Sequence, residues 1–160
     1  MSSDPSFFVR LLEPLRRRVA MLVRRAVIDV VKDENPVQAI QLKLFKNEIR
    51  QGVERIQEYG FTSVPLPEGQ AVEICVDGEP GHGLVIATDD RRYRPRNLAP
   101  GDVMLYTNKN PEAAHHIHFD AATRTITIRA RAIRIEADEG IDIAAGANVN
   151  ITGAEIHLND

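Results

Sequence analysis

Thr125-Ile126-Thr127-Ile128-Arg129 is the clearest copy of a repeat that decides the fold of this chain. From residue 117 to residue 158, apolar residues come in pairs separated by one residue, and the successive pairs lie 9, 7, 8, 8 and 7 residues apart. A short repeat of this kind is typical of stacked, quasi-one-dimensional β-structure. The pairs are Ile117/Phe119, Ile126/Ile128, Ile133/Ile135, Ile141/Ile143, Val149/Ile151 and Ile156/Leu158.

Strict alternation inside each pair places the apolar side chains on one face of a strand and the polar ones on the other. Between pairs the parity changes, from even positions at 126 and 128 to odd positions at 133 and 135. A straight strand would then expose half of its isoleucines, so we expect a corner between units. Gly140, Gly146 and Gly153 fall in these gaps, where we expect them to take the positive φ of tight corners.

One copy of this repeat cannot bury its own apolar face, because each unit offers two large side chains and no helix or second sheet follows. We therefore predict that several chains wrap together into an intertwined β-helix, most simply a homotrimer with isoleucine on the axis. If strands from three chains stack in turn, six units give a shaft on the order of 25–30 Å. The alternative is a β-meander packed on the rest of the same chain.

Composition limits the class of protein. The 160 residues fit one domain, or one domain with an appendage, and the 5% aromatic content without tryptophan favours thin β-layers over a large enzyme core. A net charge of −3 argues against general nucleic-acid binding. Cys75 is the only cysteine, so we expect no intrachain disulfide and folding in a reducing cytoplasm. We also expect no signal peptide and no membrane span, for which about 20 apolar residues are needed.

The N-terminal segment, residues 6–25, is predicted to be an amphipathic helix in which Pro14 marks a start or a kink. It can pack on its own domain, pack on trimer neighbours, dock to a partner, or lie on a membrane surface. Protein packing or docking is favoured, because a protein interface needs the same apolar face. The apolar side of the helix consists of Phe7, Phe8, Leu11, Leu12, Leu15, Val19, Leu22 and Val23.

The middle of the chain predicts short strands separated by turns, which suggests a small barrel, best of the OB type. The predicted strands are 27–31, 37–45, 71–76, 83–87 and 103–106, with a further strand or short helix at 49–59. The fold prediction is thus mainly β: an OB-fold-like barrel with an N-terminal amphipathic helix, followed by an intertwined trimeric β-helix spike. The domains are 1–25 for the helix, 26–110 for the collar barrel and 115–160 for the spike.

Histidines are the only candidate metal ligands. On a strand His116 and His118 point the same way, and three copies would offer six imidazoles, a set suited to a transition metal such as iron. If Ile117 and Phe119 face the axis, however, both histidines face outward. The same parity turns His157 outward, so we predict surface histidines and no metal or cofactor.

Two further motifs could bind a ligand, but an ordinary structural role is favoured for each. The run Asp89 to Arg96 has basic residues around an aromatic one and could stack on a nucleic-acid strand. Residues 26–110 hold ten Lys/Arg against thirteen Asp/Glu, so an ion-paired loop at a subunit interface is favoured. The stretch Gly78 to Gly83 resembles a phosphate cradle only superficially, and a hairpin turn is favoured.

No nucleophile–base pair or paired carboxylates occur in a motif, so we predict no catalytic residues and no enzyme. A β-helical polysaccharide hydrolase or lyase would need a longer shaft and a groove lined by carboxylates. The clustered acids of the shaft are interpreted as solvating residues of the outer face: Glu136, Asp138, Glu139 and Asp142.

Three stretches resemble the baseplate spike protein of Mu-like contractile-tailed phages, a family also called baseplate assembly protein V. They are GVERIQEYGFTS at 52–63, IATDDRRYRPR at 86–96 and GDVMLY at 101–106. The resemblance covers about 110 residues from the N-terminus through the barrel. It implies a homotrimer with an OB-fold collar and a β-helical spike, located under the tail tube in the virion baseplate and assembled in the host cytoplasm. It further implies contacts with baseplate hub and tail tube proteins and a transient contact with the host outer membrane.

The end of the chain departs from the family pattern. Many spikes of this kind close with a His-x-His pair that binds iron at the tip, whereas here only His157 stands near Asp160, and the shaft is short. The predicted function is a structural spike that pierces the host outer membrane and binds no nucleic acid. The alternative is a single-stranded nucleic-acid-binding OB barrel with a trimerisation tail.

Overall fold

The computed structural model describes residues 5–45, 48–79, 81–107 and 115–157, and it is mainly β. One helix precedes the strands, and the described strands fall into two sheets. The elements are α1 (Pro5–Met21), β1 (Val23–Lys32), β2 (Ala39–Lys43), β3 (Ile49–Arg55), β4 (Gln70–Cys75), β5 (Gly83–Asp89), β6 (Val103–Thr107), β7 (His115–Asp120) and β8 (Thr125–Arg129).

The first five strands close into a barrel in the order β1-β2-β3-β5-β4. All neighbours in it are antiparallel except β3 and β5, which are parallel. This connectivity is that of an OB-type barrel, so the prediction of a small OB-fold-like barrel is confirmed. The register shifts at bulges in three strand pairs, and such bulges supply the bending that lets five strands close.

Alternation along the strands builds the barrel core. In β4, Ala71, Glu73 and Cys75 point inward and are buried, while Gln70, Val72 and Ile74 alternate with them and are half-buried on the outside. The core is dry and aliphatic, and its side chains are almost without solvent contact, which stabilises each large one by about 1.5–3 kcal/mol. Its members are Ala26, Ile28, Ile40, Leu42, Val53, Ala71 and Val85.

The second sheet is three-stranded and antiparallel, in the order β6-β7-β8. The predicted strand 103–106 is present, but it pairs with β7 and not with the barrel. Of the segment 49–59, residues 49–55 form strand β3, so the strand alternative holds. The helix ends at Met21, earlier than predicted, and Val23 already belongs to β1. Helix α1 runs through Pro14 and does not start there.

The chain beyond β8 is extended and bends at 131, 138–139, 146–147 and 154, every seven to eight residues. The bends lie beside the predicted corner glycines, but the expected backbone conformation is wrong: none of Gly140, Gly146 and Gly153 has a positive φ. The turns are made without left-handed residues. Among the described glycines, positive φ occurs at Gly52, Gly60, Gly78 and Gly101.

Candidate self-association surface

The sheet β6-β7-β8 presents two apolar rows on one face. The strand register sets Val103 opposite Phe119, and Phe119 opposite Ile126. One step along the strands, Leu105 lies opposite Ile117, and Ile117 opposite Ile128. Side chains directly opposite on one face of a sheet are in contact, so each row is a continuous apolar strip. The alternation predicted for the pairs 117/119 and 126/128 is therefore confirmed.

This face is open to solvent in the single chain. Ile126 is 61% exposed, Val103 55% and Ile128 55%. A meander packed on the rest of its own chain would bury these side chains, so that alternative is wrong for the described residues. Contiguous exposed apolar surface of this kind marks an interaction site.

The same surface type continues along the extended segment 130–157. Ile135 is 68% exposed and Ile143 71%. Residues 130–157 form no strand and no backbone hydrogen bond with another described residue. Both the apolar side chains and the strand-forming groups of this segment lack a partner within the chain as described. The apolar residues are Ile133, Ile135, Ile141, Ile143, Val149, Ile151 and Ile156.

A carboxylate clasp holds the start of this surface in shape. Asp102 accepts hydrogen bonds from the backbone N–H of Ala121 at 3.0 Å and of Ala99 at 3.1 Å. Its Oδ2 lies 3.3 Å from Nε2 of His118 on β7. The backbone donors, with Ala121 foremost, and His118 hold the pKa of Asp102 below its usual range. The clasp therefore ties the turn before β6 to the turn that joins β7 and β8.

His116 and His118 alternate with Ile117 and Phe119 in the ladder, and their direction relative to a trimer axis stays a prediction. His118 stands between Met104 and Thr127 in the ladder, on the face opposite the apolar rows. It is engaged by Asp102, while His157 has its Nε2 3.3 Å from Oε2 of Glu155. Over the ranges that the structure describes, no three His, Cys, Asp or Glu side chains converge as a metal site would require. The prediction of no metal site stays a prediction.

The basic run 89–96 is tied down by its own acids. Arg92 bridges Asp90 at 2.7 Å and Glu68 at 2.6 Å, and its guanidinium lies 5.1 Å from the centre of the Tyr93 ring. Hydrogen bonding to Asp90 raises the pKa of Arg92 and, in return, holds that of Asp90 low. Arg91 is exposed, and its carbonyl accepts a bond from Arg96 at 3.4 Å. An ion-paired loop is thus present; its place at a subunit interface stays a prediction.

The stretch 78–83 belongs to the connection between the antiparallel strands β4 and β5, as the hairpin interpretation requires. The N–H of Val76 donates to the carbonyl of His82 at 2.9 Å, and the N–H of His82 donates to that of Glu79 at 3.0 Å. Pro80 lies outside the described residues.

Sequence reasoning missed an ion cluster inside the barrel. Glu73 is fully buried, with Arg24 at 2.9 Å and Arg50 at 3.1 Å from its two oxygens. Both contacts are ion pairs between a buried carboxylate and two mostly buried guanidinium groups. A side chain at Gly83 would place its Cβ 2.2 Å from Oε1 of Glu73. The alternation of β4 was the available signal, because Glu73 shares the inward parity of Ala71.

A second missed cluster fastens the loop after β3. Arg55 donates to Oε1 of Gln38 at 2.9 Å, to the Ser63 carbonyl at 2.6 Å and to Oγ1 of Thr88 at 3.1 Å. Burial lowers the pKa of Arg55, against the opposing charge of Asp33. Spacing along the sequence gives no signal for this cluster, because its members meet only when the barrel closes.

The acids of the shaft stay on the surface. Glu136 forms an ion pair with Arg134, and both side chains are mostly exposed. Asp138, Glu139 and Asp142 are exposed as well.

No helix among the described residues combines the length and the apolar character that a bilayer crossing demands.

Comparison with known proteins gives one family. Residues 25–92 match the family model described as Bacteriophage Mu Gp45, N-terminal. The chain is 40% identical over 134 residues to the Baseplate puncturing device gp45 of Escherichia phage Mu, covering 84% of this chain and 66% of that protein. It is 41% identical over 97 residues to the Mu-like prophage FluMu protein gp45 of Haemophilus influenzae, covering 61% of this chain and 53% of that protein. The matches thus span about two thirds and about half of these relatives.

Proposed function

Because the chain belongs to the Mu gp45 family, we propose that it is the spike of a contractile-tail baseplate. In this proposal it is a homotrimer whose C-terminal segments wind into a β-helix that pierces the host outer membrane. The relative from phage Mu is named a baseplate puncturing device. We transfer that role together with its place in the virion baseplate.

One observation carries the proposal: the apolar rows of β6-β7-β8 are followed along the chain by further exposed apolar pairs in 130–157. Three copies that face one axis bury this strip along its length. Each large apolar side chain taken fully from water contributes about 1.5–3 kcal/mol. These side chains are half exposed, so each gains part of that amount, and their number offsets the 4–15 kcal/mol or so that association costs.

Winding of three chains into a β-helix would also give the backbone N–H and C=O groups hydrogen-bond partners. The extended segment 130–157 has its N–H and C=O groups available, and strands from neighbouring chains can pair with them at about 4.7 Å spacing. Dense pairing around a dry apolar axis gives a stiff and narrow body, which is what puncture requires.

The layout follows from the same assignment. Residues 1–25 form the N-terminal helix, 26–110 the collar and 115–160 the spike. The collar meets the baseplate hub and the tail tube, and the spike meets the outer membrane only during contraction. The protein is assembled in the host cytoplasm. It needs no cofactor and performs no catalysis.

The alternative, a single-stranded nucleic-acid-binding barrel with a trimerisation tail, has less support. Arg92, the cation beside Tyr93, is engaged by Asp90 and Glu68. Salt-sensitive binding to single strands that is lost in the Arg91→Ala/Arg92→Ala/Arg94→Ala variant would favour this alternative.

Sedimentation equilibrium of the full chain at micromolar concentration tests the trimer. We expect a single species of about three times 17.8 kDa. A monodisperse monomer contradicts the proposal. Immunogold labelling of whole particles tests the location: we expect label at the distal end of the tail, and label along the sheath contradicts a spike.

A further inference from the structure

The apolar side of helix α1 is uncovered by its own chain. Leu12, Leu15 and Val19 are 56%, 59% and 59% exposed, and Leu11 is 62% exposed. Packing on its own domain, one of the uses considered from the sequence, is therefore wrong for these side chains. Some other surface must cover them, and three features of the chain indicate which one.

The first feature is spacing. Within α1, Leu12, Leu15 and Val19 follow one another at steps of three and four residues. This is the a/d pattern by which helices of separate chains pack in a coiled coil. Pro14 and Glu13 fall between the seam positions, so neither interrupts it.

The second feature is the base of the helix. Only Leu22 separates α1 from β1, and the N–H of Cys75 on β4 donates to the Leu22 carbonyl at 2.9 Å. The helix is thus attached to the barrel without a flexible linker. A threefold arrangement with the α1 ends of the barrels next to the axis would therefore bring three helices together in parallel.

The third feature is length. Helix α1 has 17 residues, so a coiled coil made by the free helices would be marginal in water. A trimer held together elsewhere changes this, because tethering raises the effective concentration of the helices to the millimolar range. The short seam then suffices.

We propose that the three α1 helices pair along Leu12, Leu15 and Val19 as a parallel bundle on the trimer axis. The occupant of the apolar face is a second and third copy of this chain. The inference rests on the proposed trimer. Arg10 lies at the position farthest from this seam and is exposed, so its charge stays solvated in the bundle.

Cysteine cross-linking tests the bundle in the full chain. Leu15→Cys lies in the seam, and Arg10→Cys is the matched control on the polar side of the same helix. The wild-type protein is a second control, since its single Cys75 is buried in the barrel. Disulfides need Cα atoms about 4.4–6.8 Å apart, which a bundle axis provides and separated helices do not.

Under mild oxidation at micromolar protein, we expect Leu15→Cys to form linked dimers at least about tenfold faster than Arg10→Cys. Sedimentation of both variants should still give trimers. Equal rates, or no linkage in a Leu15→Cys trimer, overturn the bundle while leaving the spike intact. A monomeric wild type would instead refute the spike proposal.

A vesicle-binding experiment distinguishes the helix bundle from a helix that lies on a membrane with the same apolar face. Vesicles of about three parts phosphatidylcholine to one part phosphatidylglycerol supply an anionic surface. We expect no cosedimentation of the wild-type trimer with them. Vesicle binding that is lost in Leu15→Arg overturns the bundle in favour of a surface-lying helix.

Discussion

Isoleucine behaves in opposite ways in the two halves of this molecule. In the barrel, Ile28 and Ile40 are 1% and 0% exposed, whereas in the C-terminal segment Ile135 and Ile143 are 68% and 71% exposed. The difference is closure: five strands return to their starting point and enclose a core, while the extended segment has no second layer. The barrel buries its own core, whereas the segment would bury its isoleucines only in the proposed trimer.

Polar groups repeat this contrast. The barrel buries a carboxylate, Glu73, between two guanidinium groups. The C-terminal segment keeps its Arg134–Glu136 ion pair in water. A region that buries charge must supply the countercharge itself, and only the barrel does so.

Replacing the shaft isoleucines by acids should have the largest effect. For Ile133→Asp/Ile135→Asp we expect loss of the trimer at micromolar concentration, because two rings of three carboxylates would lie on a dry axis. Sedimentation equilibrium measures the mass, and circular dichroism checks that the barrel stays folded.

The matched control is Arg134→Ser/Glu136→Ser, which alters the outward residues of the same unit. It should leave the trimer unchanged, because exposed ion pairs contribute little. If both variants remain trimeric, this segment does not form the trimer interface.

Removing the buried carboxylate of Glu73 should have the next largest effect. Glu73→Ala leaves Arg50 without its carboxylate and Arg24 with only the partly exposed Glu48, 3.8 Å away, so we expect the free energy of unfolding to fall by about 3–5 kcal/mol. Urea unfolding at fixed protein concentration measures it, with the exposed Glu54→Ala as control. A loss equal to that of the control would mean that water enters the barrel end.

The same small substitution in both regions sharpens the comparison. Ile40→Val in the closed core should cost about 0.5–1.5 kcal/mol. Ile135→Val should cost a similar amount per chain in a trimer and almost nothing in a monomer, where the side chain is already in water. Thermal unfolding of the two variants side by side decides between these cases, and a silent Ile135→Val contradicts burial on an axis.

Acid should loosen the Asp102 clasp of the sheet β6-β7-β8, with the smallest effect. The pKa of Asp102 is lowered in the folded chain, so its contribution is present at neutral pH. It is lost as pH falls from the unfolded value, about 3.9, through the lower folded value. We expect the drop in melting temperature between pH 7 and pH 3 to be smaller in Asp102→Asn than in wild type.

The control for this prediction is Asp138→Asn, at an exposed carboxylate of the segment. It should show the same acid-induced drop as wild type. An unchanged drop in Asp102→Asn would mean that the clasp does not respond to acid in this range.

Sequence patterns captured what depends on alternation and failed where distant residues meet. The pairs 117/119 and 126/128 were placed on one face correctly, because period two fixes side-chain direction within a strand. The partner of Val103–Thr107 was not predictable, since a strand pattern names no neighbour. The cluster of Gln38, Arg55 and Ser63 was missed because its members come from three separate segments.

The glycine expectation failed for a different reason. Gly140, Gly146 and Gly153 stand near bends that ordinary φ values can make, so the residue type marks the bends without requiring the left-handed region. At Gly101 the requirement is real: φ is +96°, and an added Cβ would lie 3.1 Å from Cβ of Ala121. The baseplate location was predicted from the resemblance to the family and could not be predicted from periodicity.

The strands β6, β7 and β8 all come from one polypeptide, so their ladder needs no second chain. The repeat units of seven to eight residues are similar, so the C-terminal segments of three chains could pair in a register shifted by one unit. In the proposed trimer the sheet β6-β7-β8 fixes the register in which the three C-terminal segments begin to pair. Assembly then proceeds from collar to apex, and molecules with staggered ends do not accumulate.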